Sequence, residues 1–246
     1  MSANTALAIS VGVLGAVATW LFLGPLGGAL AIWAAFIAWG CFFHCGGKES
    51  GLQTAILNNA AGAVIAGITL LVVTKTGLAD TVGLPIWAGI CVGVGVAAMV
   101  LLANVPLFSA IPAQVYGFAA TVAYTLMKDA AGSLTAGSLE NPVVVVILSM
   151  IVGAIFGYVS EKLAGMVLLA DVPLFASIPA QVYGFASTVA LALLPASPGS
   201  VTDASLANPV VVIILSMIVG AVFGYVSEKL AGMLAGMGHN ARHAKA

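Results

Sequence analysis

Residues 141–166, NPVVVVILSMIVGAIFGYVSEKLAGM, and residues 208–233, NPVVVIILSMIVGAVFGYVSEKLAGM, are almost the same segment written twice. Between the proline and the closing Glu-Lys pair neither copy carries a charged side chain. About 20 apolar residues in a helix, at 1.5 Å rise each, cross the roughly 30 Å hydrocarbon layer of a bilayer. Each copy therefore reads as a membrane-spanning helix. Asn141 and Asn208 stand immediately before a proline, the pattern of a helix start with Asn as cap and Pro at the first helical position.

The composition agrees with that reading. The 246 residues are 62% hydrophobic and 6% charged, and the mean hydropathy is +1.18. A water-soluble domain carries about 25% charged residues to hydrate its surface. Seven basic and eight acidic side chains cannot do that for this chain, so lipid is expected to face most of it. Nucleic acid is not an expected partner, because no basic patch exists to neutralise phosphates. Cys41, Cys45 and Cys91 show no framework spacing and read as free thiols.

Working outward, eight apolar spans are expected at roughly 4–23, 26–44, 52–74, 83–103, 106–127, 142–163, 173–194 and 209–234. The connections carry turn residues, as in GPLGG, HCGGKESG and TKTGLAD. The predicted class is all-α, a polytopic transmembrane helical bundle. Its expected divisions are 1–165, a duplicated two-helix module at 166–234, and a polar cytoplasmic tail at 235–246. With both termini cytoplasmic, Lys48, Lys162, Lys229, Arg242 and Lys245 lie inside and Lys75 and Lys128 outside. That asymmetry follows the positive-inside rule.

The duplication extends upstream of the opening pair. VPLFSAIPAQVYGFAATVA from Val105 recurs as VPLFASIPAQVYGFASTVA from Val172, at the same offset of 67 residues. One unit holds two spans, so the copies are parallel repeats and not the inverted repeats of many transporters. A fainter echo sets LAIWAAFIAWG from Leu30 beside LPIWAGICVGV from Leu84, and ILNNAAGAV from Ile56 beside IPAQVYGFA from Ile111. It places Asn59 opposite Gln114 and Gly62 opposite Gly117.

With IWAAFIAWGCFFHCGGKESGLQTAILNN in view, residues 5–165 resemble a family of small bacterial inner-membrane proteins, domain of unknown function 1097. The segment FFHCGGKESG carries most of that resemblance. It implies an inner-membrane location and a general architecture, with no catalytic residues or cofactor. The C-terminal hairpin departs from the pattern and reads as a recent tandem copy.

Polar groups inside a bilayer lack water, so they mark packing or function. Gln114, Gln181, Asn58 and Asn59 are the candidate substrate-binding residues. A carboxamide offers two donors and an acceptor, suited to a small neutral polar solute such as urea, an amide or an alcohol. The competing reading is an interhelical hydrogen bond that only fixes packing. Pro106, Pro112, Pro173 and Pro179 come early in their spans, where a broken helix would expose carbonyls. Glu161 and Glu228, each followed by Lys, read as interfacial anchors. Cys41, His44 and Cys45 share a helix face but fall short of four metal ligands. The Gly153/Gly157 and Gly220/Gly224 pairs allow close helix approach. With no catalytic set visible, no enzyme is expected. The expected function is a channel or facilitator for a small neutral solute, the alternative being a non-transporting accessory membrane protein. The lipid bilayer is the expected partner, and a homo-oligomer is left open.

Overall fold

The computed structural model describes residues 3–165 and 208–243. The chain divides into two compact units, residues 1–186 and 187–246, each treated by itself. Among the described residues every regular element is helical. In the first unit these are α1 (Ala3–Leu23), α2 (Ile32–His44), α3 (Lys48–Lys75), α4 (Leu78–Val82), α5 (Leu84–Leu102), α6 (Ile111–Met127) and α7 (Pro142–Gly165). The described part of the second unit is α8 (Pro209–His243).

Five of these helices, α1, α3, α5, α7 and α8, are long and apolar enough to cross a membrane. Two expected spans are shorter than their hydrophobic runs. The run at 26–44 becomes helical only from Ile32, because GPLGG turns the chain and Gly28 takes a positive φ of 80°. The resulting 13 residues span only about 20 Å. The run at 106–127 is interrupted: Pro106–Phe108 forms a 3₁₀ turn and α6 starts at Ile111. A residue before proline is pushed out of the α region, and Val105, before Pro106, is extended. The break falls at Ser109–Ala110, whereas Pro112 sits within the first turn of α6 and does not kink it. The span expected at 173–194 lies outside the described residues.

The Asn-Pro starts are as read from the sequence. Asn141 Oδ1 accepts the Val143 N–H at 2.9 Å, and Asn208 Oδ1 accepts the Val210 N–H at 2.8 Å. Asn141 also donates from Nδ2 to the carbonyls of Leu134 and Ala136, both at 2.9 Å, tying the preceding loop to the helix end.

Glycine decides which helices meet. A Cβ on Gly153 of α7 would overlap the Ala35 carbonyl of α2, and one on Gly157 would press into the Phe42 ring. Helices joined this way gain van der Waals contact along their backbones, the main attraction open to them in lipid. Around that seam Ala31, Ala34 and Ala38 pack with Ala120, Val146 and Met150. Trp39 lies between Phe36 and Phe156 and donates its indole N–H to Ser160 Oγ at 3.0 Å. Outward, Ile68, Val94 and Leu101 are exposed. An apolar outer surface of that kind is stable against acyl chains and costly against water.

Candidate functional site

Three of the four sequence-predicted site residues meet where α3 and α6 cross. Asn58, Asn59 and Gln114 are all fully buried. Gln181 lies outside the described residues, as does Pro179. Two glycines set the geometry. A Cβ on Gly62 would overlap the Gln114 carbonyl, and a Cβ on Gly117 would overlap the Asn59 carbonyl. The contact is reciprocal: each helix offers a glycine to the carboxamide-bearing residue of the other.

The break before α6 explains two of the carboxamides. The 3₁₀ turn leaves carbonyls without helical partners, and in an apolar setting each needs a donor. Asn58 Nδ2 donates to the Leu107 carbonyl at 3.2 Å as well as to the Thr54 carbonyl at 2.9 Å. Gln114 Nε2 donates to the Phe108 carbonyl at 2.6 Å and reaches Asn58 Oδ1 at 3.5 Å. These two side chains close the broken segment onto α3.

Asn59 is different. Its carboxamide lies beside the Cys41 thiol, a weak partner, and neither its oxygen nor its nitrogen makes a hydrogen bond. Gln114 Oε1 and Thr121 Oγ1 are likewise buried without a partner. Buried polar groups are paired in the great majority of cases, so these atoms ask for an explanation. Here four unpaired atoms, Asn59 Oδ1 and Nδ2, Gln114 Oε1 and Thr121 Oγ1, come from the two helices that interlock. Thr121 was not singled out by the sequence reading. It lies seven residues after Gln114, on the same face of α6, and that spacing was the available signal.

A second polar assembly ties the ends of α3 and α7 together. HCGGK terminates α2 with a Schellman motif: the Gly47 N–H reaches the Phe42 carbonyl at 3.1 Å and the Gly46 N–H the Phe43 carbonyl at 3.0 Å. Gly46, Gly47 and Lys48 all have positive φ. A side chain at Gly47 would run into the Glu161 carboxylate, so the N-cap of α3 has no side chain with which to cap its own helix. Glu161 supplies the acceptor from α7: its Oε2 takes the Lys48 N–H at 2.7 Å. Glu49 Oε1 in turn accepts from Lys162 Nζ at 3.0 Å and from the Tyr158 hydroxyl at 2.7 Å. The Glu-Lys pair read as an interfacial anchor thus also docks two helix ends.

The face shared by Cys41, His44 and Cys45 shows no further ligands. Cys41 Sγ and Cys45 Sγ are 3.9 Å apart, and His44 Nδ1 is engaged with the Tyr116 hydroxyl at 2.9 Å. Among the described residues no group of three or more His, Cys, Asp or Glu side chains is placed to hold a metal.

The family description "Protein of unknown function (DUF1097)" matches residues 8–165 and, a second time, residues 163–232. The chain belongs to the DUF1097 family. The first DUF1097 match takes in the α3–α6 crossing and the Glu161 assembly, while the second covers the copied hairpin. No curated protein and no solved structure is significantly similar to the chain.

Proposed function

We propose that this integral membrane protein is a channel or facilitator for a small, neutral, polar solute, in a bacterial inner membrane with both termini cytoplasmic. The observation that carries the reading is the set of four unpaired polar atoms on Asn59, Gln114 and Thr121. Leaving a buried donor or acceptor unsatisfied costs about 1–3 kcal/mol. A transient guest with both donors and acceptors, of the size of urea or acetamide, would meet those atoms as it passes. The carboxamides are uncharged, so such a site has no means of coupling passage to proton movement. No catalytic step is part of this reading.

Passage requires α3 and α6 to part, because the backbones touch at Gly62 and Gly117. A second reading, a non-transporting accessory protein, draws on a different observation: Asn58 and the Gln114 amide nitrogen already serve the carbonyls of the 3₁₀ turn. Vesicle swelling separates the two. Proteoliposomes are challenged with urea, glycerol and acetamide, using wild type, Gln114→Leu and Thr121→Val. The facilitator reading expects permeability that favours one solute class and falls in both variants. Swelling of wild-type vesicles at the rate of protein-free ones overturns it.

A further inference from the structure

Helix α2 ends on two cysteines one turn apart. The Cys45 N–H donates to the Cys41 carbonyl at 2.9 Å, so the turn between them is helical and both side chains leave the same face. Their sulfurs are 3.9 Å apart, and neither is in a disulfide. Just beyond, Gly46 takes a positive φ of 90° and the chain leaves the helix. Cys41 is fully buried and Cys45 half-buried, which gives the pair an inner and an outer member.

The neighbours of the inner sulfur are small, with one exception. Ala55 of α3 and Ala113 of α6 pack with Cys41, and Cys45, Ala110 and Tyr116 close around them. The exception is Asn59, 1% exposed, whose carboxamide lies beside the Cys41 thiol while its Nδ2 makes no hydrogen bond. A neutral thiol is a weak acceptor for that group. A thiolate would be a strong one, because hydrogen bonds to ionised partners are roughly twice as strong as neutral ones. The inner position is therefore better furnished for a charged sulfur than for the thiol.

We propose that Cys41 and Cys45 bind one copper(I) ion as thiolates, with Asn59 Nδ2 donating to the Cys41 sulfur. Soft thiolate ligands select copper(I), and this filled-shell ion accepts two sulfurs as a complete set. A metal–thiolate bond is about 2.3 Å for zinc and of that order for copper(I), so one ion bridges sulfurs 3.9 Å apart. Zinc is disfavoured by ligand number. It wants four, and among the described residues no third His, Cys, Asp or Glu joins the pair. His44, on the same face, has its Nδ1 engaged by the Tyr116 hydroxyl. Each thiol gives up its proton as its bond to copper forms, leaving one negative charge on the site. The Asn59 N–H and the half-exposed position of Cys45 offset the burial of that charge. Cysteine occurs only at 41, 45 and 91, so the copied hairpin carries no such pair. The sulfurs have no part in the facilitator reading, and the site stands apart from it.

The test uses reduced, full-length protein in detergent micelles, titrated with copper(I) against a chelating dye that competes for the ion. One copper per chain should be retained by wild type and by Cys91→Ala, and lost to the dye in Cys41→Ala and in Cys45→Ala. Asn59→Ala should bind about 10–100-fold more weakly, the usual loss when a hydrogen-bond partner of a metal ligand is removed. X-ray absorption at the copper edge of the wild-type sample, which needs no substitution, should show two sulfur neighbours. Four results overturn the proposal. They are surrender of all copper by wild type, retention in Cys41→Ala, an unchanged affinity in Asn59→Ala, and a first shell made of nitrogen or oxygen. None of these readouts involves solute passage.

Discussion

Replacing Gly117 by alanine tests the α3–α6 seat directly. The added methyl would fall inside the Asn59 carbonyl. Because that neighbour is backbone, no side-chain rotation relieves the overlap, and the helices must separate or slide. Overpacking of this kind costs about 1–3 kcal/mol. Against it stands the helix preference for Ala over Gly, about 0.5–1 kcal/mol. Gly12 on α1 is the matching control, because it is helical and has nothing within 4 Å; Gly12→Ala keeps only the gain. The two variants should therefore differ by about 1–3 kcal/mol, roughly a 5- to 150-fold change in the unfolding equilibrium. Gly62→Ala should behave like Gly117→Ala. The double variant should cost less than the sum, since one displacement of α3 from α6 accommodates both methyls. The measurement is reversible unfolding in mixed micelles of increasing SDS, followed by far-UV circular dichroism. Equal stability of Gly117→Ala and Gly12→Ala would refute the reciprocal seat. Strict additivity of the two seat variants would refute its being a single contact.

Glu161→Ala removes the acceptor that caps α3 from another helix, and capping losses run at about 1 kcal/mol. Hydrogen exchange should accelerate at the amides of Lys48 to Gly51, whereas Glu228→Ala should leave that turn unchanged. Thr121→Val replaces an unpaired hydroxyl by a methyl of the same shape, so stability should rise by up to about 1–3 kcal/mol. A fall in the SDS midpoint would mean that the hydroxyl has a partner after all.

What could be read from the sequence follows from how local each cause is. The Asn141 and Asn208 starts were legible because cap, proline and apolar run sit within a few consecutive residues. Helices α1, α3, α5 and α7 span close to their apolar runs for the same reason. Helix α2 began later than its hydropathy suggested, because hydropathy does not register that GPLGG turns the backbone. The role of Glu161 was hidden for a different reason. Its partner is the backbone N–H of Lys48, over a hundred residues earlier, and backbone groups carry no sequence signal. The carboxamides were found by their polarity in an apolar run. Sequence could not separate Asn58, which serves a broken turn, from its neighbour Asn59, whose carboxamide makes no hydrogen bond in the described structure. That division depends on where the 3₁₀ turn docks, a tertiary fact.

The duplication can be weighed against this site. The copied hairpin repeats VPLF, IPAQVYG and the Glu-Lys end, so Gln181 stands where Gln114 does in the original. It does not repeat LNNAAG, which occurs once in the chain. The crossing needs both halves: Gly62 to admit the Gln114 backbone, Asn58 to receive its amide, and Asn59 to add two of the four unpaired atoms. A copied IPAQVYG segment without a copied LNNAAG segment cannot assemble a second such crossing within its own module. On the proposed facilitator reading the working site is the α3–α6 crossing, and Gln181→Leu should leave solute swelling at the wild-type rate while Gln114→Leu lowers it. If Gln181→Leu abolishes swelling and Gln114→Leu does not, the working carboxamide belongs to the copy, and the α3–α6 crossing is only a joint.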